Sequence, residues 1–221
     1  MTIATRVPWP SLRRALVAIL RGIRPDEAEA VIGALIEEGI EAIEVPLNSP
    51  DPFRSIASAV RIAPAGVLIG AGTVLETAEV DRLHDIGGRL MVSPNIDPAV
   101  VARASGHGMV TMPGVLTPSE AIMAVKAGAS ALKFFPASLV GPAGIQAIRA
   151  ILPRDTVVGA VGGVADGDFP AYAAAGVRTF GLGSSLYRPG LSAAEVRTRA
   201  RATIAAYDAA FGTVETLSRV G

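Results

Sequence analysis

Apolar and polar positions repeat along this chain in one order: an Ala-rich helical stretch, a glycine, then a short run of apolar residues. Gly39 precedes Ala42-Ile43-Glu44-Val45, Gly87 precedes Leu90-Met91-Val92, and Gly106 precedes Met109-Val110. Gly128 precedes Ala131-Leu132-Lys133-Phe134, and Gly176 precedes Thr179-Phe180. Glycine ends a helix at little cost in the left-handed conformation, so each marks a turn from helix to strand. The repeat averages about 23 residues, enough for one strand, one helix and short loops. The opposite turns carry helix-start signals at Pro25-Asp26-Glu27, Asp97-Pro98 and Thr117-Pro118-Ser119-Glu120, the last a capping box with proline in the first turn.

Eight strands are predicted: Val17–Leu20, Ala42–Val45, Val67–Gly70, Leu90–Val92, Met109–Met112, Ala131–Phe134, Val157–Val161 and Thr179–Leu182. Most are continuous apolar runs, as parallel strands buried on both faces require. Strict alternation with helices, without an added domain, predicts an α/β fold, a single (β/α)8 TIM barrel. No Ser-rich linker or charge block divides the chain, so residues 1–221 read as one barrel domain. Residues 1–14 form an N-terminal cap in which Trp9 covers one end, and 192–221 form a C-terminal helix. Pro170 fits a helix over Asp166–Ala175 only as a first-turn proline.

Composition narrows the function. The 20 basic and 20 acidic side chains cancel, which argues against an electrostatic nucleic-acid clamp and favours a small-molecule partner. With no cysteine there is no disulfide framework, no thiolate zinc site and no catalytic thiol. Arg13 and Arg14 precede just six apolar residues, too few for a signal peptide, and the uncharged stretches fall short of a membrane span. His84 and His107 lie in helical segments away from every strand end, so no metal site is expected. Arg197, Arg199 and Arg201 read as a solvated helix face.

In a barrel the chemistry sits at the C-terminal ends of the strands. Lys133 is one of two lysines, against 18 arginines, and lies between Leu132 and Phe134 in an apolar strand. Desolvation lowers a lysine's pKa, and a free amine there attacks a ketone to form a Schiff base. The plainer alternative is a buried stem whose head snorkels to the mouth or pairs with Glu44. Glu44 is the one carboxylate at a predicted strand end, suited to proton relay or to neutralising Arg21 or Lys133. Gly162-Gly163 and Gly183-Ser184, on adjacent strand ends, make a candidate phosphate cup of exposed backbone N–H groups. Arg21 and Thr73 are candidate grips for a second anionic group such as a carboxylate.

With these residues placed, the chain resembles the 2-keto-3-deoxy-6-phosphogluconate and 2-keto-3-deoxy-6-phosphogalactonate aldolases. The resemblance rests on Glu44-Val45-Pro46-Leu47-Asn48-Ser49-Pro50, Gly70-Ala71-Gly72-Thr73-Val74 and Ser93-Pro94-Asn95. It rests equally on Ala131-Leu132-Lys133-Phe134-Phe135-Pro136 and Ala160-Val161-Gly162-Gly163. It implies Lys133 as Schiff-base lysine, Glu44 as proton carrier, Arg21 and Thr73 at the keto-acid end, and Asn48, Pro94 and Phe135 as further substrate-binding residues. Gly162, Gly163, Gly183 and Ser184 would then hold the phosphate. The family implies no cofactor, a homotrimer, a cytoplasmic location, a phosphorylated keto sugar acid as substrate and pyruvate as product, with no nucleic-acid or membrane partner. Pro46-Leu47-Asn48 in place of a Thr-Leu-Arg segment resembles the galactonate branch. Kept beside this reading are the gluconate substrate, a phosphosugar epimerase or isomerase using the same cup without covalent catalysis, and an inactive metabolite-sensing barrel.

Overall fold

The computed structural model describes residues 6–212. Among them nine parallel strands form one sheet, with eight α-helices packed outside it. The first half runs β1 (Leu16–Ile19), α1 (Pro25–Glu37), β2 (Ala42–Pro46), α2 (Pro52–Ile62), β3 (Leu68–Gly72), α3 (Thr77–Asp85), β4 (Leu90–Val92) and α4 (Pro98–Gly106). The second runs β5 (Val110–Met112), β6 (Gly114–Val115), α5 (Pro118–Lys126), β7 (Leu132–Phe134), α6 (Ala137–Arg149), β8 (Val158–Val161), α7 (Phe169–Ala174), β9 (Thr179–Leu182) and α8 (Ala193–Phe211).

The strand order is β5-β4-β3-β2-β1-β9-β8-β7-β6, so the two ends of the sheet are β5 and β6, neighbours in sequence. Pro113 separates them. Lacking an N–H and fixed in φ, it interrupts regular strand geometry, and the ninth strand, Gly114–Val115, was not among the eight expected from the sequence. The ladder nonetheless passes through the break. The N–H groups of Ala131, Lys133 and Phe135 donate to the carbonyls of Thr111, Pro113 and Val115 at 3.0, 2.9 and 3.1 Å. The sheet therefore curls into a nearly closed parallel barrel.

The helix starts read from the sequence are where the structure begins α1, α4 and α5. Asp97 accepts from the N–H groups of Ala99 and Val100, and Thr117 with Glu120 forms a reciprocal capping box. Pro170 falls in the first turn of α7, after a 3-10 turn over Asp166–Asp168. One exit differs from expectation: Gly106 stays helical, and the left-handed residue that releases the chain into β5 is Gly108, at φ 71°. Arg197 and Arg201 are not simply solvated, because both pair with Glu38 just after α1, while Arg199 reaches the carbonyls of Ser184 and Ser185. Of the expected terminal elements, residues 1–5 and 213–221 lie outside the described residues.

Strand side chains alternate between two apolar layers. Leu16, Ala18, Ile43, Val45, Leu132 and Phe134 point outward to the helices, whereas Val17, Ile19, Ala42 and Ala131 fill the barrel interior. Trp9 packs against this interior layer together with Val7 and Leu12. The same alternation decides where the polar strand residues go. Glu44 shares its parity with Ala42, and Lys133 with Ala131, so both point inward.

Candidate active site

Arg21, Lys133, Phe135, Gly162, Gly163, Gly183 and Ser184 line one cavity of about 160 Å³, together with Ile19, Val161, Val164 and Gly181. Parity explains most of this set. Ile19 and Arg21, then Val161 and Gly163, and then Gly181 and Gly183 are inward residues two apart, each following its strand out of the C-terminal end. At Gly181 a side chain would run into Val161 and Ile19, so its absence keeps the cavity open.

Lys133 is 5% exposed and its Nζ lies 4.9 Å from the centre of the Phe135 ring. Burial holds its pKa below the ordinary lysine value; Glu44 pulls it upward and Arg21 pushes it further down. Glu44 is 1% exposed, and its Oε2 is buried without a hydrogen-bond partner. Burial pushes this carboxyl up to about 7, against the opposing pull of Lys133 and Arg21. An amine driven towards its neutral form thus shares a field with a carboxyl poised to carry a proton near neutrality.

Four of the residues singled out from the sequence do not line the cavity. Glu44 lies buried beside it on β2. Asn48 is exposed, and its Oδ1 accepts a hydrogen bond from Arg21 Nη1 at 2.5 Å, so it orients the guanidinium. Thr73 follows β3 at φ 57°, an uncommon conformation for a β-branched residue. Pro94 is half-buried, with its carbonyl against Gly114.

Gly162 and Gly163 are both left-handed, at φ 88° and 73°, and a side chain on Gly163 would meet Ser138 at 2.7 Å. No α-helix starts directly behind them, since α7 begins at Phe169; the candidate cup consists of loop backbone and of the turn in which Leu186 and Tyr187 donate to the Gly183 carbonyl. His84 and His107 stack at 4.1 Å, and His107 pairs with Asp81, away from the cavity. Among the described residues no three of His, Asp and Glu are arranged to hold a metal ion. Ile19, Val161 and Gly181 were not singled out from the sequence, although strand parity alone identifies them. Gly72, which abuts Glu44, carried no signal beyond its place in Gly70-Ala71-Gly72.

A family model described as "KDPG and KHG aldolase" matches residues 11–199. The chain belongs to this aldolase family. As an aldolase it is a carbon–carbon lyase. It is 67% identical over 207 residues to a "Probable 2-dehydro-3-deoxy-6-phosphogalactonate aldolase" of Rhizobium meliloti (strain 1021), covering 94% of this chain and 98% of the relative. It is 48% identical over 192 residues to the 2-dehydro-3-deoxy-6-phosphogalactonate aldolase of Escherichia coli (strain K12), covering 87% and 94%. The aldolase superposes on a solved structure described as "Native KDPGal structure" with a TM-score of 0.89 and 47% identity, covering 92% of this chain and 98% of the other.

Proposed function

We propose that this aldolase cleaves 2-dehydro-3-deoxy-6-phosphogalactonate into pyruvate and D-glyceraldehyde 3-phosphate through a Schiff base on Lys133. One observation carries the reading: an inward lysine, buried and with its pKa lowered by that burial, in a cavity shared with an arginine and two glycine-rich strand ends. The galactonate series is favoured by the two named relatives and by Asn48, which binds Arg21.

Lys133 Nζ attacks the C2 ketone, and loss of water leaves a protonated imine. Glu44 accepts the C4 hydroxyl proton, the C3–C4 bond breaks, and its electrons move into the iminium to give an enamine. Glyceraldehyde 3-phosphate departs. The enamine takes its proton at C3 from Glu44, and water hydrolyses the resulting imine to release pyruvate and the free amine. Arg21, held by Asn48, takes the substrate carboxylate with Thr73, while Pro94 and Phe135 wall the keto-acid end. The backbone N–H groups around Gly162, Gly163, Gly183 and Ser184 take the phosphate. No cofactor enters the scheme.

The finer architecture follows the same reading. With β5 and β6 counted as one stave broken at Pro113, the barrel is a (β/α)8 barrel, and the described residues form one domain. A homotrimer in the cytoplasm is proposed; exposed Leu116, Ile122 and Met123 at α5 supply apolar surface for contact between copies. No helix among the described residues is long and apolar enough to cross a membrane.

Borohydride reduction in the presence of pyruvate, read by intact mass, tests the nucleophile. A single reduced pyruvate adduct is expected in the native protein and none in Lys133→Ala; an adduct that survives the substitution rejects Lys133. Parallel assays of the two C4-epimeric phosphates, with coupled pyruvate detection, test the substrate. Faster cleavage of the gluconate epimer overturns the galactonate assignment and leaves the aldolase mechanism in place.

A further inference from the structure

We propose that Gly72 is a positioning residue for Glu44: the missing side chain at the end of β3 is the seat that fixes the Glu44 carboxylate. The proposal rests on Glu44 acting as the proton carrier. Glu44 Oε2 is buried without a hydrogen-bond partner, so the charges of Lys133 and Arg21 act on the carboxyl without a hydrogen bond to fix that oxygen. The carboxylate occupies the space where a side chain of Gly72 would stand. A Cβ built there would lie 2.0 Å from Oε2, 2.4 Å from Cδ and 2.5 Å from Oε1, and these are its three nearest neighbours.

Two features make this contact a constraint. Gly72 does not have a positive φ, so its backbone accepts an L side chain and the obstacle is the carboxylate itself. The strand end is also pinned. The Leu47 N–H donates to the Gly72 carbonyl at 2.8 Å, and the Val74 N–H donates to the Val92 carbonyl at 3.2 Å, tying β3 to both neighbours. A methyl at position 72 therefore displaces the carboxylate and not the strand. In the native protein the bare Cα lets the carboxylate lie flat against β3, where burial keeps its proton affinity high.

The test is kinetic and thermal. Gly72→Ala is expected to lower kcat about 10²-fold, the scale of a misplacement of about 1 Å, with KM little changed. The acid limb of its pH profile should move to lower pH as the carboxylate is pushed towards water. Glu44→Asp retracts the carboxylate by one methylene, so Gly72→Ala/Glu44→Asp should turn over faster than either single variant. Native kcat and pH profile in Gly72→Ala overturn the proposal, and so does a double variant whose losses multiply.

If Gly72→Ala folds too poorly for kinetics, melting decides. The alanine should lower Tm in the native background and leave it unchanged in Glu44→Ala, where the carboxylate is gone. An equal loss in both backgrounds overturns the seat. The underlying reading fails separately: full activity in Glu44→Gln removes Glu44 as proton carrier, whatever the melting cycle returns.

Discussion

At the scale of single residues, the proposed chemistry depends on two groups whose charged forms burial disfavours. Water favours a charged lysine and a charged carboxylate; the barrel interior penalises both, raising Glu44 to about 7 and lowering Lys133. In the proposed mechanism cleavage needs Glu44 as carboxylate and Lys133 as amine, so kcat/KM is expected to fall on the acid side with an apparent midpoint near 7 that belongs to the pair. Glu44→Gln should lose about 10²–10⁴ in kcat, and a pH-rate series on both proteins checks this. The same burial has a consequence for stability. The folded protein binds a proton at Glu44 that the unfolded chain has released between about 4.5 and about 7, so this group's contribution declines as pH rises through that window. Lys133 acts with the opposite sign, its contribution being lost as pH falls below 10.5 towards its lowered value, and it is present in both proteins. The Tm of Glu44→Gln relative to native is therefore expected to climb between those two pH values, by the equivalent of about 1–3 kcal/mol. A difference that stays flat with pH contradicts the burial argument.

Among the elements, strand ends divide the work, and they were unequally legible in the sequence. The placement of Glu44 and Lys133 was readable because each is a charged residue between apolar neighbours on a short strand, and period-two alternation sends both inward. The helix starts at Pro25, Pro98 and Pro118 were readable because capping chemistry is local. The break at Pro113 was not, since a proline beside a glycine reads equally as the end of a strand, and continuity through it depends on β7. Nor did the sequence separate Gly106 from Gly108 as the left-handed exit of α4, both lying within one turn. The contact of Gly72 with Glu44 joins two strands and leaves no periodic trace. The loop after β8 offers a prediction at this scale. Gly163, left-handed and close to Ser138, can gain a methyl only by straining the loop whose N–H groups are proposed to take the phosphate. Gly163→Ala should raise KM for the phosphorylated substrate about 10- to 100-fold, the cost of one or two hydrogen bonds to a charged group. Pyruvate lacks a phosphate, so borohydride trapping by pyruvate alone should proceed as in the native protein. A parallel loss of trapping would show instead that the loop supports Lys133.

For the whole molecule, the barrel has two ends with different duties. The C-terminal ends of the strands carry the cavity. The Val7–Leu12 segment packs against the interior layer, and Arg14 joins the start of the barrel to α8 through two hydrogen bonds to Asp208, at 2.7 and 2.6 Å. Tyr207 adds to this junction by donating from its hydroxyl to the Arg178 carbonyl at 3.1 Å and packing at a tilt against the Phe211 ring. Parallel strands leave both mouths of a barrel open, and an apolar interior exposed at one mouth loses the burial that stabilises it. Trp9 is the largest side chain in the segment that covers the interior, yet it belongs to neither the cavity lining nor the Glu44 seat. Trp9→Ala should therefore cost about 2–3 kcal/mol, somewhat less than a fully buried tryptophan, and lower Tm accordingly. Catalysis should not follow, because the removed ring touches none of the groups that bind or move protons. Below the melting transition, kcat and KM for the phosphorylated substrate should match the native values, and borohydride trapping should remain complete. Loss of kcat at a temperature where the variant is folded would mean that packing at the capped end reaches the strand tips through the interior layer, and that the two ends are mechanically coupled.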